Sequence, residues 1–396
     1  MKIFLVSIIV LIVLGISGYW GFQKIGDVRP ALLPASGKLA DSFTQNNSNI
    51  AKGESVDMPL KVADGLQVGL FARGLGKARG MAFSPEGVLL VSDMNGKGTI
   101  YALPDKNGDG IADEKIVAIS GLNNTHGLAF YNNKLYVTEK TKVSRYNWEG
   151  ANLKASLDKK LFDLPNSEGH YTRTIVFDKT GKMYVSLGST CNVCIEKDPF
   201  LASIIVSDAE GLAPKLYARG LRNSVALAID PVTQELWGAE NGRDLIGDDL
   251  PPEEINIIKE GRDYGWPYCY GDRVADISFD ATATSRCPET EGMIYGLPAH
   301  NAPLGMAFVP ENFHPDWKDD LVVGLHGSWN RSKPDGYKVV LLERDGNTIT
   351  GMTDLLSGFI RGSNAEGRPV DVIFDEKGNL YISDDKAGNI YILNKK

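Results

Sequence analysis

The chain has 396 residues, with 42 Lys and Arg against 50 Asp and Glu, for a formal charge of −8. That balance, with no basic stripe, argues against nucleic acid as a partner. A hydrophobic share of 43% is ample for a core, while 43 Gly and 19 Pro are too many for a helical protein.

Residues 3–20 form an apolar run behind Lys2, long enough to cross a bilayer at the lower end of the range. No clear small-x-small cleavage site follows. Residues 1–25 are therefore expected to be an uncleaved membrane anchor, with a cleaved signal peptide as the competitor. Residues 26–57 are polar and read as a linker. Either reading places the remainder, 58–396, outside the cytoplasm, at the periplasm or cell surface.

Six copies of one pattern fill that remainder. They read GMAFSPEGVLLVSD from Gly80, HGLAFYNNKLYVTE from His126, RTIVFDKTGKMYVSLG from Arg173, VALAIDPVTQELWGAEN from Val225, GMAFVPENF…DDLVVGLHG from Gly305 and VDVIFDEKGNLYISDD from Val370. Aligned on Phe83, Phe130, Phe177, Ile229, Phe308 and Phe374, they step by 47, 47, 52, 79 and 66 residues. Each copy has an apolar run, a Gly/Pro/Asn/Asp turn and a second apolar run. A third alternating run follows in every copy. Short strands repeating at this period predict an all-β, six-bladed propeller in one domain. The last copy holds only three strands, and Leu66–Phe71 is predicted to supply its fourth and close the ring.

Between the repeats, Asp105, Asn107, Asp109 and Asp113 match the front of a calcium loop, with Ile116 where its bidentate Glu belongs. The segment reads equally as an outer calcium loop or a plain Asp/Gly hairpin. Four cysteines in an extracytoplasmic chain point to disulfides. Of three possible pairings the local ones, Cys191 with Cys194 and Cys269 with Cys287, are favoured. The C-x-x-C is a loop staple or a redox pair, and with Ile195 next it lacks the His of a covalent haem site.

In a propeller the turns leading into the first strands converge on one mouth. Here they carry Lys77, Arg79, Asn124, His126, His170, Arg173, Arg222, Asn223, His300, Asn301 and Arg368. The turns leaving the second strands add Asp93, Glu139, Glu240, Asn241 and His326 to the same face. A mouth rich in Arg and His suits a ligand with several carboxylates.

The segments EGHYTRTIVFDKTGKMYVSLGSTCNVC, ARGLRNSVALAIDP, ELWGAENGRDLIGDDLPPEEIN, GRDYGWPYCYG, GLHGSWNRSKPDGYKVV and GRPVDVIFDEKGNLYISDD carry a family likeness. From about Met58 to Lys396 the chain resembles the glucose/sorbosone dehydrogenase family, propeller quinoproteins that use pyrroloquinoline quinone (PQQ), and most of all its L-sorbosone dehydrogenase-like branch. The resemblance implies oxidation of an aldose or related aldehyde sugar, with electrons passed to an external acceptor. It puts His170 at the catalytic base and Arg222 and Asn223 at the cofactor, Arg222 stabilising charge on the quinone oxygen. It puts Arg368 on a cofactor carboxylate. Arg79 and Arg173 are further candidate cofactor contacts, Arg173 also helping to keep His170 neutral. A calcium ion is implied at the carbonyls of Gly242 and Arg243, with Asp248 and Asp249 either binding it, fixing the loop or forming an acidic solvated loop. Soluble glucose dehydrogenases carry a cofactor lysine where this chain runs Gly324–Trp329, which offers His326 or Trp329 instead. A calcium-dependent lactonase using His126 or His170 as base, and a non-catalytic binding propeller, are the competing functions.

Overall fold

A strand sandwiched between two sheets is buried on both faces and reads as an unbroken apolar run. Such runs form the second strands, among them Leu89–Asp93, Leu236–Glu240, Leu321–Leu325 and Leu380–Asp384, every residue of which is buried. The computed structural model describes residues 54–396 and arranges their main strands as six antiparallel blades. The expected anchor or signal at 1–25 and most of the linker lie outside the described residues. Among the described residues no helix is long and apolar enough to cross a membrane.

Blade 1 comprises Ala78–Phe83, Leu89–Asp93, Gly98–Leu103 and Ile116–Leu122. Blade 2 follows with Leu128–Tyr131, Lys134–Glu139, Lys142–Glu149 and Lys154–Asp163, and blade 3 with Ile175–Phe177, Lys182–Leu187, Ser203–Asp208 and Lys215–Arg219. Blade 4 comprises Ser224–Ile229, Leu236–Glu240, Glu253–Ile258 and Tyr295–Leu297. Blade 5 comprises Pro303–Phe308, Leu321–Leu325, Lys338–Asp345 and Thr348–Ser357. In blade 6, Pro369–Phe374, Leu380–Asp384 and Asn389–Lys395 are completed by Leu66–Ala72, which pairs with Asn389–Lys395. The ring closes as the sequence predicts.

Each neighbouring pair of blades shares an apolar cluster. Val91 and Tyr381 meet between blades 1 and 6, Met183 and Tyr136 between blades 3 and 2, and Trp237 and Val323 between blades 4 and 5. In blades 3, 4 and 6 the first and second strands are joined by turns in which an aspartate, Asp178, Asp230 or Asp375, caps its own loop. Asp178 Oδ1 accepts from the amides of Thr180 and Lys182, and Gly181 takes φ +86, a conformation that disfavours any side chain.

Two additions escape the repeat. Lys61–Val62 is a fifth strand on the edge of blade 5, and Glu54, placed by the sequence in the linker, forms an antiparallel bridge with Leu70. The step of 79 residues reflects an insertion before the last strand of blade 4. It holds the hairpin Cys269–Tyr270 with Val274–Ala275 and two short 3₁₀ turns, pinned by the Cys269–Cys287 disulfide. Cys191 and Cys194 also form a disulfide, so both favoured pairings hold and no described cysteine is free.

Candidate active site at the channel mouth

The mouth is built by carboxylates that hold the first strands in place. Asp93, Glu139, Glu240 and Asp384, each ending a second strand, accept the backbone N–H of Lys77, Asn123, Asn223 and Arg368 at 2.8, 2.7, 2.6 and 2.9 Å. The same clamp recurs in blades 1, 2, 4 and 6. Asp93, Glu139 and Glu240 do lie at the mouth, as expected, but they are buried and bonded to backbone. Burial pushes Glu240 up to about 8 and Asp384 up to about 6.

His170 stands on the turn into blade 3. Its Nδ1 lies 2.9 Å from Ser189 Oγ and 3.2 Å from Ser189 O. Ser189 Oγ donates its one proton to Cys191 O at 2.6 Å. The hydroxyl can therefore only accept from the ring, so Nδ1 carries the hydrogen and Nε2 keeps its lone pair. Burial first, then the Arg222 charge, hold His170 down at about 3, so the ring is neutral near pH 7. A methyl group on Gly188 would lie 2.4 Å from His170 Cβ and 2.7 Å from Asn223 Oδ1, which places these two side chains around one glycine.

Arg222 is buried, and its donors are all engaged. Nε meets Asn192 O at 2.9 Å, Nη1 meets Asn241 O at 3.1 Å and Gly242 O at 2.8 Å, and Nη2 meets Asn192 Oδ1 at 3.0 Å and Asp244 Oδ2 at 2.9 Å. Asn192 sits inside the Cys191–Cys194 loop. One disulfide loop thus orients the His170 hydroxyl partner through Cys191 O and the Arg222 guanidinium through Asn192.

A second cluster forms across blades 5, 6 and 1. Asp385 accepts from Arg79 Nη1 at 2.7 Å and from His326 Nε2 at 2.8 Å. Arg368 packs beside it, donating to His326 O and Gly327 O and lying over the Tyr337 ring. Burial raises the Asp385 carboxyl, but His326 and Arg79 outweigh that and hold it well below the usual range. Burial, then Arg368, bring His326 down to about 4. Trp329 is 43% exposed on the neighbouring rim.

The loop expected to hold calcium is tied down on several sides. Gly242 N–H donates to Glu253 Oε2 at 2.6 Å, and Arg243 Nη1 bonds Asp276 at 2.5 Å. Asp249 pairs with Arg331 at 2.9 Å and Asp248 bonds Ser332, which staples this loop to the one after Leu325. Of the roles considered for Asp248 and Asp249, the bonds drawn are those of loop fixing. His300 donates from Nε2 to Gly247 O at 2.8 Å and its Nδ1 faces Asn330 Nδ2 at 3.2 Å, so it too holds this loop. Asp105, Asn107, Asp109 and Asp113 accept from amides of their own loop, between the third and fourth strands of blade 1.

The residues fit both groups that the likeness implies. Arg79 and Arg368 bring two guanidiniums, and His326 a neutral imidazole, to the Asp385 carboxylate, donors of the kind that suit an acidic ligand. Asn330 Oδ1, buried without a donor beside Asp244, and the carbonyls of Gly242 and Arg243 are the hard oxygens calcium prefers. Ser189, Asn192, Asp244 and Asp385 were not singled out from the sequence, although all four lie inside the quoted segments.

Comparison with solved structures finds the same architecture. The holo form of the pyranose dehydrogenase PQQ domain from Coprinopsis cinerea has a TM-score of 0.76 at 23% identity over 87% of this chain and 98% of that one. The calcium structure of the Trichoderma reesei enzyme of family AA12 gives 0.75 at 23% identity over 87% and 99%. These likenesses show the fold. The chain itself belongs to the TrAA12-like family, whose model matches residues 60–396. An uncharacterized protein of Borreliella burgdorferi is 32% identical over 364 residues, 85% of this chain and 91% of that protein. The PQQ-dependent sugar dehydrogenase of Hypocrea jecorina is 25% identical over 422 residues, 89% and 92% of the two chains. The PQQ-dependent pyranose dehydrogenase of Coprinopsis cinerea is 25% identical over 409 residues, and the match spans 54% of that longer protein.

Proposed function

We propose that this chain is a PQQ-dependent sugar dehydrogenase that oxidises an aldose or related aldehyde sugar and passes the electrons to an external acceptor. The observation that carries the reading is His170, a buried neutral imidazole whose Nδ1–H is fixed by Ser189, leaving Nε2 able to take a proton. When bound, the quinone supplies the two-electron acceptor chemistry and calcium polarises it as a Lewis acid.

His170 Nε2 removes the hydroxyl proton of the sugar as the carbon-bound hydrogen leaves with its electron pair. A positioned base of this kind contributes about 10²–10⁴ in rate. Arg79 and Arg368, with the neutral His326 beside them, form the side that would hold cofactor carboxylates. Arg222 keeps the Gly242 carbonyl and Asp244 in place and lays positive charge beside the reacting centre. The lactonase alternative asks for Glu, Asn and Asp oxygens free to grip a metal, and at this mouth Glu139, Glu240 and Asp93 are committed to backbone amides.

The two disulfides support an extracytoplasmic location. Tethering through residues 1–25 and a preference for glucose- or sorbosone-type sugars belong to this proposal. The test is reconstitution of the purified protein with PQQ and calcium, followed by dye reduction across a panel of sugars. Turnover that requires both additions and His170 supports the reading. A protein that takes up no quinone at micromolar concentration refutes it.

A further inference from the structure

Four residues before each alignment point lies one ring of side chains: Arg79, His126, Arg173, Val225, Leu304 and Val370. All six are buried, and the ring is split by chemistry. Val225, Leu304 and Val370, from blades 4, 5 and 6, pack on one another as an apolar wall. Blades 1, 2 and 3 supply Arg79, His126 and Arg173 opposite that wall. The backbones carrying them are pinned to their neighbours, with Ser383 Oγ on Arg79 O at 2.7 Å and Ser92 Oγ on His126 O at 2.8 Å. Thr138 Oγ1 donates to Arg173 O at 2.5 Å. Gly127 fits between because it has no side chain: a methyl there would fall 2.5 Å from Arg173 O.

The polar half of the ring is left with unused hydrogen-bonding groups. Arg173 is fully buried, and its Nη atoms donate only to carbonyls, those of His170 and Thr172 at 2.9 Å and of Pro165 at 3.3 Å. No carboxylate among the described residues pairs with it. Its Nε has no partner, nor has Arg79 Nε, and neither ring nitrogen of His126 makes a hydrogen bond. Burial, then the Arg79 charge, hold His126 down at about 3, with Arg173 acting the same way and the Arg173 carbonyl and Asp385 opposing. The nearby carboxylates serve elsewhere: Asp385 bonds Arg79 and His326, and Asp371 accepts the amides of Met81 and Val372. Buried charges in proteins are paired or hold a counter-ion.

We propose that the channel between Arg173, His126 and Arg79 holds a small monovalent anion of the halide class, bound beneath the mouth by N–H donors and backed by the Val225–Leu304–Val370 wall. One apolar side and a few N–H donors suit a weakly hydrated monatomic ion better than a multiply charged oxyanion. Arg79 is shared with the proposed cofactor pocket, but Arg173 and His126 carry the anion and no step of the proposed activity runs through them, so the failure of this site and that of the enzymatic reading are separable.

The test uses bromide and chloride on the full-length protein. Crystals of the wild-type chain grown in bromide should show an anomalous peak between Arg173 Nε and the His126 ring, present with and without PQQ and calcium. The melting temperature should rise by about 2–4 °C over a hundredfold increase in chloride at constant ionic strength with isethionate as the replacement anion. Arg173→Gln should abolish that rise and His126→Leu should reduce it. Water alone at the site and a chloride-independent melting temperature overturn the proposal. A bromide peak displaced on loading the quinone also overturns it, because the ligand would then be a carboxylate of the cofactor.

Discussion

Two histidines face the mouth from opposite sectors, and their partners differ. His170, between blades 3 and 4, meets a neutral hydroxyl and a carbonyl through Nδ1, and the guanidinium nearby is saturated by backbone and amide oxygens and by the Asp244 carboxylate. His326, between blades 5 and 6, meets the carboxylate Asp385 through Nε2, and that carboxylate is shared with Arg79. The first sector leaves an unprotonated nitrogen beside positive charge that discourages permanent protonation. The second uses one carboxylate to tie a guanidinium and a neutral imidazole together beside Arg368. In the proposed function, the first side moves a proton and the second grips an anion.

Substitutions should separate the two sides. His170→Ala should lower kcat/KM by about 10²–10⁴ while the quinone still binds, measured by dye reduction and cofactor titration. Asp385→Asn removes the carboxylate between Arg79 and His326 and should cost about 3 kcal/mol in denaturant unfolding. Its residual activity should keep the wild-type pH profile, because the base sits in the other sector. Ser189→Ala should lower kcat by about tenfold with KM little changed, since the base loses the hydroxyl that sets its tautomer. Ser189→Thr should restore it, and the ¹⁵N shifts of His170 should show the tautomer mixture in the alanine variant alone. A tenfold loss with unchanged ¹⁵N shifts would mean that Ser189 merely packs.

The smallest effect concerns pH. A histidine held at about 3 in the folded state against 6.5 for the free side chain stays unprotonated through the weakly acidic range. The acid limb of kcat/KM should therefore lie below pH 6.5. The stability contributed by keeping His126, His170 and His326 neutral is fully present above 6.5 and is lost as pH falls toward 3 to 4. An acid limb above 6.5 would show that His170 is not the group titrating.

The architecture was legible because the inner strands leave a strong pattern. Runs such as Leu89–Val91 and Tyr381–Ile382 are apolar on both faces, and the turns at Asp178 and Asp375 repeat. The outer strands of blades 1 to 5 carry a weaker one. Lys154–Asp163, with the sequence KASLDKKLFD, is mostly exposed and shows little apolar alternation. Lys61–Val62 is too short to register at all. At the candidate site, His170, Arg222 and Arg368 were singled out by likeness and by their place before a strand. Asp385 was missed because its partner Arg79 is 306 residues away and nothing local marks the pair. Asp93, Glu139 and Glu240 were assigned to the mouth face without a role, since sequence does not show that a carboxylate holds a backbone amide.

The strand Leu66–Ala72 has a mechanical consequence. It comes from the start of the propeller yet forms the outer rail of the blade that the C-terminal residues build, so the propeller's two ends fasten one clasp. Trimming or tugging at either end attacks that same seam first. Cutting the chain instead at the Asn132–Asn133 bend and joining the old ends should give a rearranged protein whose clasp is continuous and harder to unzip.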